Sequence, residues 1–479
     1  MASNGWRTEI GLHLWLKKEM VYMKQGMFGI KVKNMNQLYN EDCLTALKKL
    51  SDNSIDCMVT DPPYGYSFMG KDWDKVVPSV DIWKECLRVL KPGAFAFVMS
   101  APRQDVLSQM IVRLTDAGFN MGYSSIYWTY SSGFPKAHNI GKTVDKQNGV
   151  EREVIGNKSG GAYSGENNKG IGEYDKLGGK ERKKRGNDFG LETKGHSPLE
   201  GSYGGLQPKP AVEIIIVAMK PLTEKTFVAQ ALKNGKGITW LDDCRIPYNT
   251  DDKPPEFCKR PDMSKSKPGD KSMYDSVYGN KDNYIIMKQN QVGRFPANLL
   301  VSDDVLNDGT ITKSNNKAHD RKSKGMFAGG TSNVEGSDKG SYSRYFDLDK
   351  WFNTTYPFLI TPKASKREKN AGCDDLNTVL HNGHQFNKQT GEPWVYSTKN
   401  NHPTVKPIKL MSYLIVLGSR ENDIVLDPFA GSGTTLVASK MLNRQYIGCE
   451  MSKEYVEIIE ARLSSVSSDK PIESNTFFS

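Results

Sequence analysis

None of the cysteines in the 479-residue chain stands in a CxxC pair, and there are seven of them, an odd set that cannot close completely into disulfides. A disulfide-stapled secreted scaffold is thereby excluded, and a reducing compartment is expected. Also missing are an apolar run of the ~18 residues a membrane span needs and a basic-then-apolar leader, so a soluble cytoplasmic protein with no membrane partner is expected. Neither sign of charge is scarce. The 65 Lys and Arg against 55 Asp and Glu leave +10, a moderate excess compatible with a polyanionic partner without requiring one. Apolar residues are scarce between 150 and 207, where Gly, Ser, Asn and Lys dominate. Such a stretch cannot close a core of its own.

What is present is organised around Asp61-Pro62-Pro63-Tyr64-Gly65. Ile55, Met58 and Val59 are strand formers bounded by polar residues, which predicts a short buried strand delivering Asp61 at its carboxyl end. Open α/β sheets bind ligands at that edge. The two prolines fix φ at about −65° and remove two backbone donors. The resulting loop carries a carboxylate, the Pro62 carbonyl and an aromatic face. Those groups suit the exocyclic amine of a nucleobase, whose lone pair is delocalised into the ring. Carboxylate and carbonyl can both accept hydrogen bonds from the NH2 group and push nitrogen toward sp3, while Tyr64 stacks on an extruded base. A Pro-Pro turn capped by Asp, common in loops, is the plainer reading of the same residues.

Asp423 to Leu426 predicts a second buried strand, followed by Asp427-Pro428-Phe429-Ala430-Gly431-Ser432-Gly433-Thr434-Thr435 and a helical pattern over 436–442. Strand, glycine-rich turn and helix make a nucleotide-type cradle. A phosphate-binding P-loop would need Lys where Thr434 stands, so that reading fails. About twenty residues after the glycines, the strand-like run Gln445 to Cys449 ends in Glu450, the offset at which an acidic residue binds ribose hydroxyls. Taken alone, Glu450 would read as a solvated strand end.

Asp61-Pro62-Pro63-Tyr64 together with the Asp427 to Thr435 segment resembles the S-adenosyl-L-methionine-dependent amino-group DNA methyltransferases, the adenine-N6 and cytosine-N4 enzymes. Asn401-His402-Pro403-Thr404-Val405-Lys406-Pro407 is similar to the pattern those enzymes carry just before the cofactor strand. The order, catalytic loop first and cofactor loop near the C-terminus, resembles the β class, and the matching motifs cover roughly residues 36–134 and 396–465. The resemblance implies an α/β fold: a doubly wound, mostly parallel, Rossmann-like sheet assembled from both ends of the chain, with an inserted target recognition region. It implies methyl transfer to the N6 amino group of a flipped adenine in double-stranded DNA. Adenine is expected because the motif opens with Asp, where the cytosine-N4 enzymes more often carry Ser. Asp61, Pro62, Pro63 and Tyr64 would be catalytic. Asp61, Asp427, Phe429, Gly431, Gly433, Thr434 and Glu450 would bind the cofactor, with Asp42, Thr404 and Lys406 as further walls of its pocket. No metal is implied. A restriction–modification setting is expected, with a homodimer and an accompanying restriction endonuclease left open. The competing readings are a cytosine-N4 enzyme, a catalytically silent DNA-binding module, and an RNA or protein amino-group methylase.

Taken in order, residues 1–34 form an extension whose Trp6, Leu12, Trp15 and Leu16 fit either a packing helix or a dispensable segment. A catalytic half follows over 35–134. In it Asp42 reads as an N-cap before Leu44, Leu47 and Leu50, and helices over 80–90 and 106–114 alternate with strands over 94–99 and 124–129. The loop from Ser67 to Val77 is expected to close over the base. A flexible Gly/Lys-rich insert occupies 135–207, and its basic run Lys180 to Arg185 fits a solvated linker or a phosphate-tracking arm. A returning strand lies in 208–222, paired with the Ile126 strand. The target recognition region is expected at 223–395, where basic runs and aromatics interleave. The cofactor half at 396–465 and a tail at 466–479 complete the chain. Cys244, Cys258, Cys373, His381 and His384 are too irregularly spaced to read as a zinc site.

Overall fold

Segments from both ends of the sequence and from its middle interleave in one sheet. The computed structural model describes residues 35–65, 76–130, 138–157, 191–206, 211–248, 256–261, 284–288, 292–302, 304, 306–307, 312–314, 338–355, 370–373, 376, 379–386, 393–398, 400, 402 and 404–466. The main sheet contains β1 (Gln37–Tyr39), β2 (Cys57–Thr60), β3 (Phe95–Ser100), β4 (Ile126–Thr129), β5 (Val212–Met219), β6 (Leu299–Val301), β7 (Ile424–Asp427) and β8 (Gln445–Cys449). Their spatial order is β1-β8-β7-β2-β3-β5-β4-β6. Every neighbouring pair is parallel except those made by β5, which runs antiparallel to both β3 and β4. The expected pairing of the returning strand with β4 is present, but β5 also separates β4 from β3. Its length and the β-branched run Ile214 to Val217 suit a strand paired on both edges.

Among the described residues that share a unit with this sheet, the helices are α1 (Cys43–Leu47), α2 (Val80–Val89), α3 (Gln104–Asp116), α4 (Phe227–Asn234), α5 (Leu348–Thr355), α6 (Ile408–Gly418), α7 (Thr434–Met441) and α8 (Lys453–Ser464). Side chains alternate across the sheet. Cys57, Val59, Phe95, Phe97 and Met99 pack with Leu414, Leu436 and Ile459 of α6, α7 and α8. Met58, Ala96 and Val98 pack with Trp83 of α2 and Met110 of α3. A parallel sheet buried on both faces reads as continuous apolar runs, which is why these strands were legible without alternation.

Residues beyond 222 also contribute to the sheet and to its cover. Leu299–Val301 is β6 itself, parallel to β4. α6 is buried along its whole length and is apolar apart from Lys409, which pairs with Asp349, and Ser412, as suits an enclosed helix. It is covered by α5, whose Trp351 packs edge-on against Tyr413 at 4.9 Å and donates through Nε1 to the Asp243 carbonyl at 2.9 Å.

The chain divides into one unit comprising Met1–Ser131 and Val212–Ser479, and a second comprising Ser132–Ala211. Within the second, the ends of the expected flexible insert are structured. Glu153–Asn157 pairs with Leu191–Lys194, and a helix over Ile140–Gln147 is capped by Asn139. The buried Arg152 guanidinium joins Asp145 and Glu200. The basic run Lys180 to Arg185 lies outside the described residues, as do residues 1–34 and the tail from 467. No helix among the described residues is long and apolar enough to cross a membrane.

At the amino edge of β2 and β7, Asp56 holds two lysines. Its Oδ1 lies 2.6 Å from Lys91 Nζ and 2.9 Å from Lys236 Nζ, and Lys236 also reaches Asp423 at 2.8 Å. Burial opposes ionisation of Asp56, but Lys236 and Lys91 outweigh it and hold the carboxyl below its ordinary range. Asp56→Ala should therefore cost about 3 kcal/mol, because it strips a partner from a buried ammonium. A depressed folded pKa means that this stabilisation is complete above the unfolded value of about 3.9 and is lost as pH falls through the folded one. Urea melts of the two proteins should differ at pH 7 and converge as acid protonates the carboxylate.

Candidate active site

β2 and β7 lie side by side in parallel, with Cys57 opposite Val425 and Met58 opposite Leu426, so the loops leaving their carboxyl ends start from one edge. The strand β5 arrives there from the opposite direction. Its Glu213 pairs with Trp128 near the carboxyl end of β4.

On the first loop, the Tyr64 hydroxyl donates to Asp61 Oδ1 at 2.6 Å and lies 3.3 Å from Glu213 Oε2. Lys406, from the segment entering α6, puts its ammonium among them. It is 2.8 Å from Glu213 Oε2, 3.2 Å from Asp61 Oδ2 and 3.2 Å from the Tyr64 hydroxyl oxygen. It also sits 5.2 Å from the centre of the Tyr64 ring. Burial raises the Asp61 carboxyl above its ordinary value; Lys406 works against that and Glu213 adds to it. Burial, then Asp61 and Glu213, push the Tyr64 hydroxyl well above its usual range, so it remains a donor. For Lys406 burial pulls downward, but the two carboxylates outweigh it and the ammonium is held charged.

On the second loop, Asp427 is only 2 % exposed. Its Oδ1 accepts from Thr60 Oγ1 at 2.7 Å and from the Phe429 N–H at 3.1 Å. Burial pushes its carboxyl up to about 6, against these donors. Gly431, at φ +55°, donates its N–H to Glu450 Oε2 at 2.9 Å, and Glu450 Oε1 accepts from the Ser452 N–H at 2.8 Å. A Cβ on Gly431 would come within 2.9 Å of His402 Nε2, and one on Gly433, at φ +77°, within 2.9 Å of the Ile459 side chain. Behind the turn the buried Arg462 of α8 donates to the Ser432 carbonyl at 2.5 Å, its hydroxyl at 3.1 Å and Thr434 Oγ1 at 3.2 Å.

The expected site residues are therefore sorted differently from their sequence positions. Asp61 and Tyr64 meet directly; Pro62 is buried and Pro63 half-buried. Lys406, expected as a wall of the cofactor pocket, reaches from the segment entering α6 to Asp61 and Tyr64 of the first loop. Asp427 and Thr434, expected to contact the cofactor, direct their side chains into the protein, where Thr60 and Arg462 engage them. Glu450, Gly431 and the half-buried Phe429 stay together at the edge, with Phe429 edge-on to Trp83 at 6.1 Å. Asp42 caps α1, accepting from the Leu44 and Thr45 N–H groups, and the nearby Asn40 side chain donates to the Glu450 carbonyl at 2.9 Å. Thr404 is exposed, its N–H 3.4 Å from His402 Nδ1. Residues 66–75, most of the loop expected to close over the base, lie outside the described residues, as do 131–137. The sequence reading gave Glu213, His402 and Arg462 no individual role. His402 lay within the Asn401 to Pro407 motif, and Glu213 left a signal as the one carboxylate inside the apolar run from Ala211 to Met219. Among the described residues no group of three His, Cys, Asp or Glu side chains is placed to hold a metal.

A family model described as DNA methylase matches residues 55–461. The chain belongs to this family of N6/N4 amino-methylating enzymes. Among curated relatives, Type II methyltransferase M2.DpnII of Streptococcus pneumoniae is 36% identical over 129 residues, 26% of this chain and 45% of its own. Type II methyltransferase M.HpaI of Haemophilus parainfluenzae is 50% identical over 72 residues, 15% of this chain and 23% of its own. The chain thus spans less than half the length of these relatives. Among solved structures, the PvuII cytosine-N4-specific DNA methyltransferase aligns over 91% of this chain and 89% of its own, at 14% identity and a TM-score of 0.37.

S-adenosyl-L-methionine is the cofactor of the family. The second loop fits it. Gly431 leaves open the space that a Cβ would fill beside His402, Phe429 offers an apolar face, and the Glu450 carboxylate, which accepts the Gly431 and Ser452 N–H groups, has further acceptor capacity for a hydroxyl. Gly431→Val should force a β-branched residue into the left-handed region, at about 1–3 kcal/mol of strain, and press on His402. Calorimetry should find cofactor binding abolished at concentrations that saturate the unaltered protein. Gly235→Ala, at φ +72° with open space around its Cβ, should lose stability yet bind normally.

Proposed function

We propose that the protein is a site-specific DNA methyltransferase acting on the N6 amino group of a flipped adenine in double-stranded DNA. The observation that carries this reading is the meeting of the Asp61 carboxylate and the Tyr64 hydroxyl, 2.6 Å apart, at the sheet edge from which the Gly431–Glu450 turn also projects. An aromatic amine is a poor nucleophile until its N–H groups are drawn into hydrogen bonds, and Asp61 with the Pro62 carbonyl supplies the acceptors. Bound beside them, the cofactor supplies an electrophilic methyl group. Phe429, Gly431 and Glu450 would hold it, with the Asp42 turn as a neighbouring wall. The nitrogen gives up one proton as it gains the methyl, and the Asp61 carboxylate stands to accept it. Tyr64 presents its ring for stacking while its hydroxyl fixes the carboxylate, so preorganisation carries most of the rate.

The choice of adenine over cytosine rests on Asp at position 61. Single-molecule sequencing of DNA from a methylation-free host expressing the chain tests it directly: N6-methyladenine at one recurring sequence supports the assignment, and N4-methylcytosine overturns it. Asp61→Ala should lower the rate by about 10²–10³ while cofactor affinity in calorimetry is retained; equal losses in both would contradict the role. Because Asp61 titrates above its ordinary value and must be ionised, the acid limb of the rate profile should lie above the usual carboxylate range of about 3.9.

A further inference from the structure

We infer that Glu213 is a positioning residue for the methyl-transfer reaction, holding the Lys406 ammonium so that Asp61 keeps a net negative charge toward the incoming amine. The inference rests on the methyl-transfer reading and adds to it a residue outside its motifs. Two carboxylates and one ammonium share the pocket. The ammonium is 2.8 Å from Glu213 and 3.2 Å from Asp61, so the cation sits closer to Glu213 than to the carboxylate assigned to the amine. Formal charge at the cluster is then minus one, which complements the positive charge that develops on nitrogen. Without Glu213 the ammonium would pair with Asp61 alone, the cluster would be neutral, and the acceptor lone pairs would be taken by a cation.

The position of Glu213 supports this role. It enters from β5, which runs against its neighbours in the main sheet, so that its start lies at their carboxyl edge. A carboxylate inside an otherwise apolar strand has to be matched by a partner, and Lys406 is that partner. Among the described residues, the charged and titratable groups acting on Asp61 are Lys406, Glu213 and Tyr64, with Asp427 of β7 further off. Glu213 raises the Asp61 pKa and Lys406 lowers it, so the two act on it in opposite senses.

Charge-count variants test this. Glu213→Gln leaves the cluster neutral, Lys406→Met leaves it at minus two, and the double variant returns it to minus one. Glu213→Gln should lower kcat at least about tenfold: one full unit charge a few ångströms away at protein-like screening is worth up to about a thousandfold, and only part of a charge develops on the nitrogen. Its KM for DNA and its cofactor affinity should be unchanged, and its acid limb should move to lower pH. Lys406→Met should move that limb to higher pH. The double variant should return it toward the original position and recover part of the kcat lost in Glu213→Gln, which a merely structural role for Glu213 would not produce. A Glu213→Gln enzyme with unaltered kcat and pH profile, or a double variant no better than Glu213→Gln, overturns the inference. The titration of Asp61 by carboxylate 13C NMR, assigned with Asp61→Asn, reads the same shifts without turnover. An unaltered chain that transfers no methyl group therefore counts against the methyl-transfer reading, and an Asp61 midpoint unmoved in Glu213→Gln counts against the role of Glu213.

Discussion

A buried hydrogen bond between residues 367 positions apart, from Thr60 Oγ1 to Asp427 Oδ1 at 2.7 Å, joins the last residues of two neighbouring strands. The rest of the site depends on that junction. The strand it ends on one side carries the loop of Asp61 and Tyr64; the strand on the other carries the glycine turn. Asp427 also accepts from Phe429, so the same carboxylate that ties the strands shapes the start of the turn. An acid pushed up to about 6 by burial shows how far this group has been taken from water, and why its role is internal.

Charge is divided between the two edges of these strands. At the amino edge two lysines and two carboxylates, Lys91, Lys236, Asp56 and Asp423, balance one another within 2.6–2.9 Å contacts, an arrangement that only holds the fold. At the carboxyl edge Lys406 faces both Asp61 and Glu213, and one negative charge is left over. A surplus charge in a partly buried pocket opposes stability, and such strained electrostatics are concentrated where chemistry is performed. The contrast sets the structural ion cluster apart from the functional one although both are built on β2.

The glycine turn follows similar logic without charge. Left-handed backbone at Gly431 and Gly433 brings the chain against His402 and Ile459, and Arg462 holds the turn from inside through Ser432 and Thr434. A guanidinium that occupies these inward oxygens leaves the outer face of the turn, with Phe429 and Glu450, for a ligand.

The sequence by itself determined β2, β3, β4, β7 and β8 and the helices over 80–90, 106–114 and 436–442, because a sheet buried on both faces demands continuous apolar runs, and proline and glycine mark loops by their backbone restrictions. It also determined Asp61, Tyr64, Gly431 and Glu450 as candidates, since their roles follow from local order along a strand and its loop. Only the tertiary structure decided that Lys406 belongs to Asp61, that Asp427 and Thr434 point inward, and that Glu213 joins the site. The short run Leu299 to Val301 gave no periodicity strong enough to announce an eighth strand, and α6, apolar but for Lys409 and Ser412, has no continuous polar face by which a helix is recognised. Each of these depends on which distant segment lies alongside. Glu213 is the clearest case: its place at the carboxyl edge follows from β5 running antiparallel, a direction set by pairing with β3 and β4 that no local pattern encodes.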